Sequence, residues 1–177
     1  MQISILEKRK ETLFDLAFLS SYLRLGPEQA LNLKSYLAHL VEVATDWTQE
    51  RLGKTILSQT IKVVHRNNDI LLPYGPVQKE NIQSVTRKGR VLKEGSEYSV
   101  AFYKDTQKIK TGFSWKSHAI EIVYRAGYGD HADDVPLPIK NSILRSIETL
   151  YHNGGDIKIL EKNDDVLASS YRHYSIY

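Results

Sequence analysis

The feature that most constrains this chain is a change of hydrophobic period at Gly53. From Pro27 to Leu52, apolar residues recur every three or four positions, which is the spacing of a helix with one buried face. Proline favours a first helical turn and glycine favours a helix end, so this pattern predicts one helix over 27–52. From Thr55 to His65 the chain is rich in β-branched residues, which predicts a strand. The chain therefore has to combine helices and strands.

Other segments of the chain also show the apolar spacing of a helix or the residue pattern of a strand. They predict helices over about 11–23 and 139–152, strands over 81–88 and 119–124, and a hairpin that pairs 98–103 with 107–112 around Lys104-Asp105. This order predicts an α+β fold, in which N-terminal helices and a C-terminal helix are packed with a small, mainly antiparallel sheet. We expect a single domain over 1–155. A polar, weakly periodic, flexible C-terminal tail over 156–177 follows it, with at most a short helix near 161–169.

Composition narrows the class of protein. The chain has 177 residues, of which 41% are hydrophobic and 25% charged, as in soluble folded proteins. It contains 0 cysteines, which excludes disulfides, thiolate metal sites and cysteine nucleophiles. Its net charge of +3 is small, so any basic surface has to be local. The start MQISILEKRKE lacks a secretory apolar region, and no apolar run approaches the roughly 20 residues that cross a bilayer, so we expect synthesis in the cytoplasm.

Four stretches within 16–151 or just beyond it follow a distinctive order of helix, strand, proline loop and final helix. They are LSSYLRL, VEVATDWTQERLGKTILSQTIKV, ILLPYGPVQKENIQSV and VYRAGYGDHADDVPLPIKNSILRSIETLYHN. Together they resemble the adaptor family of long-tailed bacteriophages, also called head-tail connector or head-completion proteins. The matching positions are Trp47, Thr48, Arg51, Leu52, Gly53 and Thr60 in the second stretch, and Tyr124, Ala126, Gly127, Tyr128, Val135, Pro136 and Ile139 in the fourth.

The resemblance implies an assembly protein and not an enzyme. A member of this family forms a ring below the portal of the capsid, expected to follow the portal's twelve-fold symmetry as a dodecamer. The ring completes the head and provides the attachment platform for the next connector or tail-completion protein. Double-stranded DNA passes through the lumen without sequence reading. The implied location is the head-tail junction of the virion, with synthesis in the host bacterial cytoplasm and no cofactor or membrane partner.

Two glycines and two prolines of the fourth stretch have physical explanations. Gly127 and Gly129 are expected to adopt positive φ where the chain leaves the sheet. Pro136 and Pro138 are expected to prevent the last helix from beginning earlier.

A group of basic residues is the candidate for contact with DNA phosphates in the lumen. Its members are Arg87, Lys88, Arg90, Lys93, Lys104, Lys108 and Lys110, with Lys116 nearby in sequence. The alternative is an ordinary solvated surface, because Glu94, Glu97 and Asp105 dilute the positive charge. The same residues support a second functional hypothesis, a small nucleic-acid-binding module that uses a basic hairpin.

The loop with Asp130, His131, Asp133 and Asp134 carries residue types that bind metals. Their spacing matches no calcium loop, and capping or turn formation before Val135-Pro136 explains the carboxylates at least as well. A small metal-dependent hydrolase at this loop is a third hypothesis, although no acyl-transfer or phosphate-cradling motif occurs in the sequence.

The tail contains residue types that are enriched in protein interfaces. They are Tyr171, Arg172, Tyr174 and Tyr177, which we predict to dock on the portal. The alternative is a frayed terminus.

Overall fold

A computed structural model describes residues 1–9, 11–112 and 119–162, and it confirms the α+β class. The helices are α1 (Leu16–Tyr22), α2 (Pro27–Asn32), α3 (Lys34–Leu52), α4 (Leu137–His152) and α5 (Lys158–Lys162). The strands are β1 (Gln2–Glu7), β2 (Gln59–His65), β3 (Asp69–Leu71), β4 (Ile82–Arg87), β5 (Arg90–Val91), β6 (Tyr98–Tyr103), β7 (Thr106–Thr111) and β8 (Ile120–Ala126). All strand pairs within the sheets are antiparallel, as predicted.

The strands form two sheets, and the larger has the order β1-β2-β8-β4-β5. β8 lies at its centre and pairs with β2 and β4. Alternate residues of β8 are buried because successive side chains of a strand point to opposite faces. Ile122, for example, lies opposite Val63 on one side and Val85 on the other, and all three are buried. This row forms the middle of the core.

The smaller sheet has the order β3-β7-β6 and contains the predicted hairpin. Tyr103 pairs with Thr106, so the connection is the two-residue turn Lys104-Asp105 that the sequence indicated. Lys104 has φ of 55°, the left-handed conformation that tight hairpin turns require. Ile109 on β7 and Ile70 on β3 are paired and fully buried.

The described residues divide into two compact units. One contains residues 1–9 and 53–128, and therefore both sheets, which contribute to one hydrophobic core. The other contains residues 11–52 and 129–162, where α3 packs against α4. α4 buries the stripe Ile139, Ile143, Ile147 and Leu150, spaced at fours and threes as an amphipathic helix requires.

Two differences from the sequence prediction concern helix boundaries. The single helix predicted over 27–52 was wrong, because Leu33 separates α2 from α3 with φ of −95° and ψ of 3°. Its N–H still donates to Gln29 and its carbonyl accepts from Leu37, so the helical spacing of apolar residues continues across the break. α1 begins later than predicted, at Leu16, because the Asp15 side chain accepts from the Phe18 N–H at 2.6 Å and caps the helix there.

Further differences lie at the two ends of the described chain. β1 was not predicted, and it adds an edge strand to the larger sheet. At the other end, α5 extends beyond residue 155, and its Leu160 is buried. The short helix predicted near 161–169 overlaps α5 only at its start, and 163–169 lie outside the described residues. In the described part of the chain, no helix has the length and apolar composition needed to span a membrane.

The two loop glycines fulfil different requirements. Gly127 has φ of 133°, as predicted, and a Cβ there would lie 2.7 Å from the Ser58 backbone. For Gly129 the predicted positive φ was wrong; the Asp134 carboxyl group occupies the space that a Cβ would need. Pro136 confirms its predicted role, because α4 begins directly after it at Leu137. For Pro138 the prediction was wrong, since the helix begins before it and Pro138 lies in the first turn.

The tight contact at Gly127 gives a stability test. Replacing Gly127 with alanine should lower the free energy of unfolding by more than about 1 kcal/mol, because both the φ angle and the Ser58 backbone oppose a Cβ. The control is Gly112→Ala, where no described residue lies within 4 Å of the added Cβ. Urea unfolding followed by circular dichroism measures both. Equal stabilities of the two variants would contradict this account of the loop.

Candidate assembly surfaces

A proline-containing loop, 72–77, holds the turn of the β6–β7 hairpin through four hydrogen bonds. The Leu72 N–H donates to the Gln107 carbonyl at 3.0 Å, and the Val77 N–H donates to the Asp105 carbonyl at 3.0 Å. In return, the Thr106 hydroxyl donates to the Leu72 carbonyl at 2.8 Å and the Gln107 amide donates to the Val77 carbonyl at 3.1 Å. Thr106 and Gln107 are buried, so these bonds satisfy groups that water does not reach.

The larger sheet holds the same loop through Tyr124. Its side chain is fully buried, and its hydroxyl donates to the Pro73 carbonyl at 2.7 Å. Burial raises the pKa of the Tyr124 hydroxyl well above its ordinary value of 10.0, so the group remains a donor across the physiological range. The loop therefore connects the central strand of one sheet to the hairpin of the other.

An ion pair adds to this attachment. Lys54, which follows Gly53, places its Nζ 2.5 Å from an Asp105 carboxylate oxygen at the hairpin turn. The side chains are only 10% and 31% exposed, so water screens the pair less than it screens a surface salt bridge. The turn is anchored on one side as a result.

The hairpin also exposes apolar side chains. Phe102 is 67% exposed and Tyr103 is 43% exposed, and the Lys104 Nζ lies 5.6 Å from the Tyr103 ring centroid. Large exposed aromatic side chains are enriched in protein interfaces. Alternating exposure is expected on β6, but the exposure of three consecutive residues at its end was not deduced from the sequence.

The basic residues proposed to face DNA are divided between the two sheets. Arg87, Lys88, Arg90 and Lys93 lie at or near the β4–β5 turn, whereas Lys104, Lys108 and Lys110 lie on the β6–β7 hairpin. Lys116 lies outside the described residues. Strand pairing therefore does not bring the two groups together.

Carboxylates offset part of this positive charge. Arg90 binds Glu97 through its two terminal guanidinium nitrogens, and Lys108 lies 2.9 Å from Asp69. The hydrogen bond from Arg90 is the main cause of the lowered pKa of the Glu97 carboxyl group. The lower pKa keeps this carboxyl group charged. The exposed lysines of the set are Lys88, Lys93, Lys104 and Lys110. Their contact with DNA stays a prediction.

The loop with the four candidate metal ligands is organised by its own backbone. Asp134 accepts from the His131 N–H at 3.0 Å and closes a 3-10 turn over Ala132–Asp134. Asp133 lies 3.7 Å from Lys140, and Asp130 is exposed. In the described ranges, no three His, Asp or Glu side chains are grouped to hold a metal ion. Through the hydrogen bond it accepts from the His131 N–H, Asp134 has the capping role that the sequence offered as the alternative.

His131 makes a contact outside this loop. Its Nδ1 lies 3.1 Å from Glu11, and both side chains are at least half exposed. The hydrogen bond to Glu11, followed by that residue's negative charge, raises the pKa of the His131 imidazole above its ordinary 6.5. The contact joins the segment before α1 to the segment before α4.

α1 and the segment just before it carry a partly exposed aromatic row that sequence analysis missed. The rings of Phe14, Phe18 and Tyr22 are stacked at successive centroid distances of 5.7 and 6.3 Å. Phe18 is 47% exposed and Tyr22 is 38% exposed, although the Tyr22 hydroxyl donates to Glu148 on α4 at 3.0 Å. The spacing of four residues was visible in the sequence and could have revealed the row.

The predicted portal-docking residues Tyr171, Arg172, Tyr174 and Tyr177 lie outside the described residues. Their role stays a prediction.

Comparison with known proteins adds a likeness of fold. No protein-family model matches the chain, and no curated protein matches it in sequence. Among solved structures, a chain from the neck of an empty gene transfer agent (GTA) particle computed with C6 symmetry has a TM-score of 0.74 at 14% identity. A chain from the virion of a native GTA particle has 0.71 at 16%, and one from the neck of a native particle computed with C12 symmetry has 0.66 at 13%.

Each superposition covers 100% of this chain and 98% of the other chain. At these identities the comparison shows a shared fold. These neighbours are consistent with the head-tail connector resemblance found in the sequence.

The Lys54–Asp105 pair gives a second stability test. Replacing Lys54 with methionine keeps its length but removes the cation, and we expect a loss of roughly 1–3 kcal/mol, between the values for exposed and buried pairs. The control is Lys62→Met, because Lys62 pairs with Glu121 at a more exposed position. That change should cost under about 1 kcal/mol in the same urea unfolding experiment. A Lys62→Met variant as unstable as Lys54→Met would contradict the special role of the hairpin pair.

The His131–Glu11 contact predicts a pH dependence. Because its folded-state pKa is raised, protonated His131 should add stability below pH 6.5, and this contribution should disappear as pH rises through the folded-state pKa. NMR titration of the His131 ring in the native protein and in Glu11→Gln measures the effect. The variant should titrate at lower pH, and coincident curves would show that Glu11 does not cause the shift.

Proposed function

We propose that this chain is a head-tail connector, or adaptor, protein that forms a ring below a portal, completes the head and provides the attachment platform for the tail. The observation that carries the proposal is the full-length likeness of fold to chains from GTA necks, with a TM-score of up to 0.74. Because fold alone does not determine function, the resemblance of the four sequence stretches is the second support.

A ring is favoured by the symmetry with which the similar necks were computed, C6 in one case and C12 in another. Twelve copies satisfy both symmetries, and we propose a dodecamer that matches the portal. A closed ring requires two different contact patches on each subunit. The chain offers separate exposed apolar surfaces, the hairpin end at Phe102 and the aromatic row at Phe18.

The partners follow from this location in the particle. The proposed contact with the portal is the tail, through Tyr171, Arg172, Tyr174 and Tyr177. Tyrosine and arginine are enriched among the residues that contribute most of the binding energy when an interface buries them. The opposite side of the ring would bind the next connector or the tail-completion protein. We propose no catalytic activity and no cofactor for this chain.

DNA is proposed to pass through the lumen past exposed lysines such as Lys88, Lys93 and Lys110. Contacts of this kind reach phosphates and carry no sequence information. The ion pairs of Arg90 and Lys108 weaken the local positive potential, which suits DNA that has to move past the surface. The same pairs make the alternative, a small nucleic-acid-binding module with a basic hairpin, less favourable.

Negative-stain electron microscopy with light scattering tests the proposal. The purified protein, with and without a cognate portal protein, should form rings or a collar on the portal. A variant that lacks 163–177 should form no collar but keep its fold, because it retains α5 and its buried Leu160. A protein that remains monomeric, ignores the portal and binds DNA with strong salt dependence would replace this proposal with the nucleic-acid module.

A further inference from the structure

We infer that neighbouring copies in the ring are joined by strand addition, in which β1 of one copy pairs with β6 of the next. The inference rests on the proposed function, since it specifies the contact that closes the ring. An unpaired strand edge presents a row of N–H and C=O groups that can bind another strand.

β1 is one of these edges. In the described part of the chain it pairs with β2 alone, and its residues carry no charge before Glu7. Ile5 and Leu6 are 52% and 53% exposed. A bulge interrupts the pairing only between Ile5 and Glu7, so Gln2–Ile5 present a regular edge. Proteins usually protect edge strands with charge, proline or short length, and β1 has little of this protection.

β6 is the second edge. Within the described ranges its sheet partner is β7 alone, and Tyr98–Tyr103 contains no charged residue. The Tyr98 carbonyl accepts from Gly95, which leaves the five residues from Ser99 onward for pairing. The remaining edge strands are shorter, because β5 has two residues and β3 has three.

The two edges match in one register. In each strand, alternate residues face the core of their own sheet: Ile3 on β1, and Tyr98 and Val100 on β6. If β1 and β6 pair antiparallel with Ser4 opposite Ala101, then Ile3 lies opposite Phe102 and Ile5 lies opposite Val100. The apolar faces then coincide, and aromatic and β-branched side chains form favourable cross-strand pairs. The pairing would cover Ile5 and Phe102, which are exposed in the single chain.

Charge is compatible with the antiparallel direction. Lys8, just after β1, would lie near Glu97, just before β6. Because β1 and β6 are different strands of the same chain, each copy can use one edge on each side. This is the heterologous contact that a ring needs, and it identifies the occupant of each edge as a second copy.

Cysteine cross-linking tests the pairing directly, because the chain has 0 native cysteines. The experiment mixes purified Ser4→Cys and Ala101→Cys variants under ring-forming conditions and adds a short bismaleimide. The mixture should give cross-linked dimers, each single variant should give none, and a chain with both changes should give a ladder of multimers. Cross-linking of Ser4→Cys with itself would indicate a symmetric β1–β1 contact and overturn the inference.

Charge insertion gives the second arm. Ile5→Lys and Phe102→Lys should each weaken ring assembly by at least about tenfold, as expected for a charge covered at an interface. Val91→Lys is the control, because Val91 is 62% exposed on β5, which the pairing does not use. Circular dichroism should show native spectra for all three. Normal assembly of both β1 and β6 variants would overturn the inference.

The outcomes separate the two proposals. Rings that form without the Ser4–Ala101 cross-link, and that tolerate lysine at both edges, retain the proposed function and overturn strand addition. A native protein that forms no ring, alone or with a portal, overturns both.

Discussion

The unit that contains both sheets depends on the hydrogen bonds that the backbone of the 72–77 loop makes. This loop lies between strands that belong to different sheets, and four of its residues, Leu72, Pro73, Gly75 and Val77, are buried. A buried irregular segment would carry unpaired polar groups at considerable cost. Tyr124 and the hairpin turn instead supply donors and acceptors, and Lys54 holds the turn from a third side. One set of polar contacts therefore fixes the hairpin, and with it the orientation of the β6 edge.

Much of the fold could be predicted from local sequence signals. The Lys104-Asp105 hairpin, the β8 alternation and α4 were predicted because a two-residue turn, a period of two and a period near 3.6 leave clear patterns. The break at Leu33 left no such pattern, since hydrogen bonds continue across it and the apolar spacing does not change. The division into two sheets also was not predicted, because strand partners are distant in the sequence.

The functional surfaces were harder to predict for a similar reason. A lysine in the sequence does not reveal its partner, so the pairing of Lys108 with Asp69 and of Arg90 with Glu97 became visible only in the structure. β1 was not predicted because its six residues are followed at once by charged residues. A strand this short is recognised mainly by its pairing with β2, which only the structure shows. Exposure of an apolar residue is likewise a property of the packed chain and not of the residue.

The contact between Gly129 and Asp134 has an evolutionary consequence. The carboxyl group of Asp134 fills the space beside Gly129 and caps the turn before α4. A side chain at 129 would displace that carboxyl group, and a residue without a carboxyl at 134 would remove the reason for glycine. The two positions should therefore change together among descendants of this gene, although four residues lie between them and neither residue type by itself indicates the other.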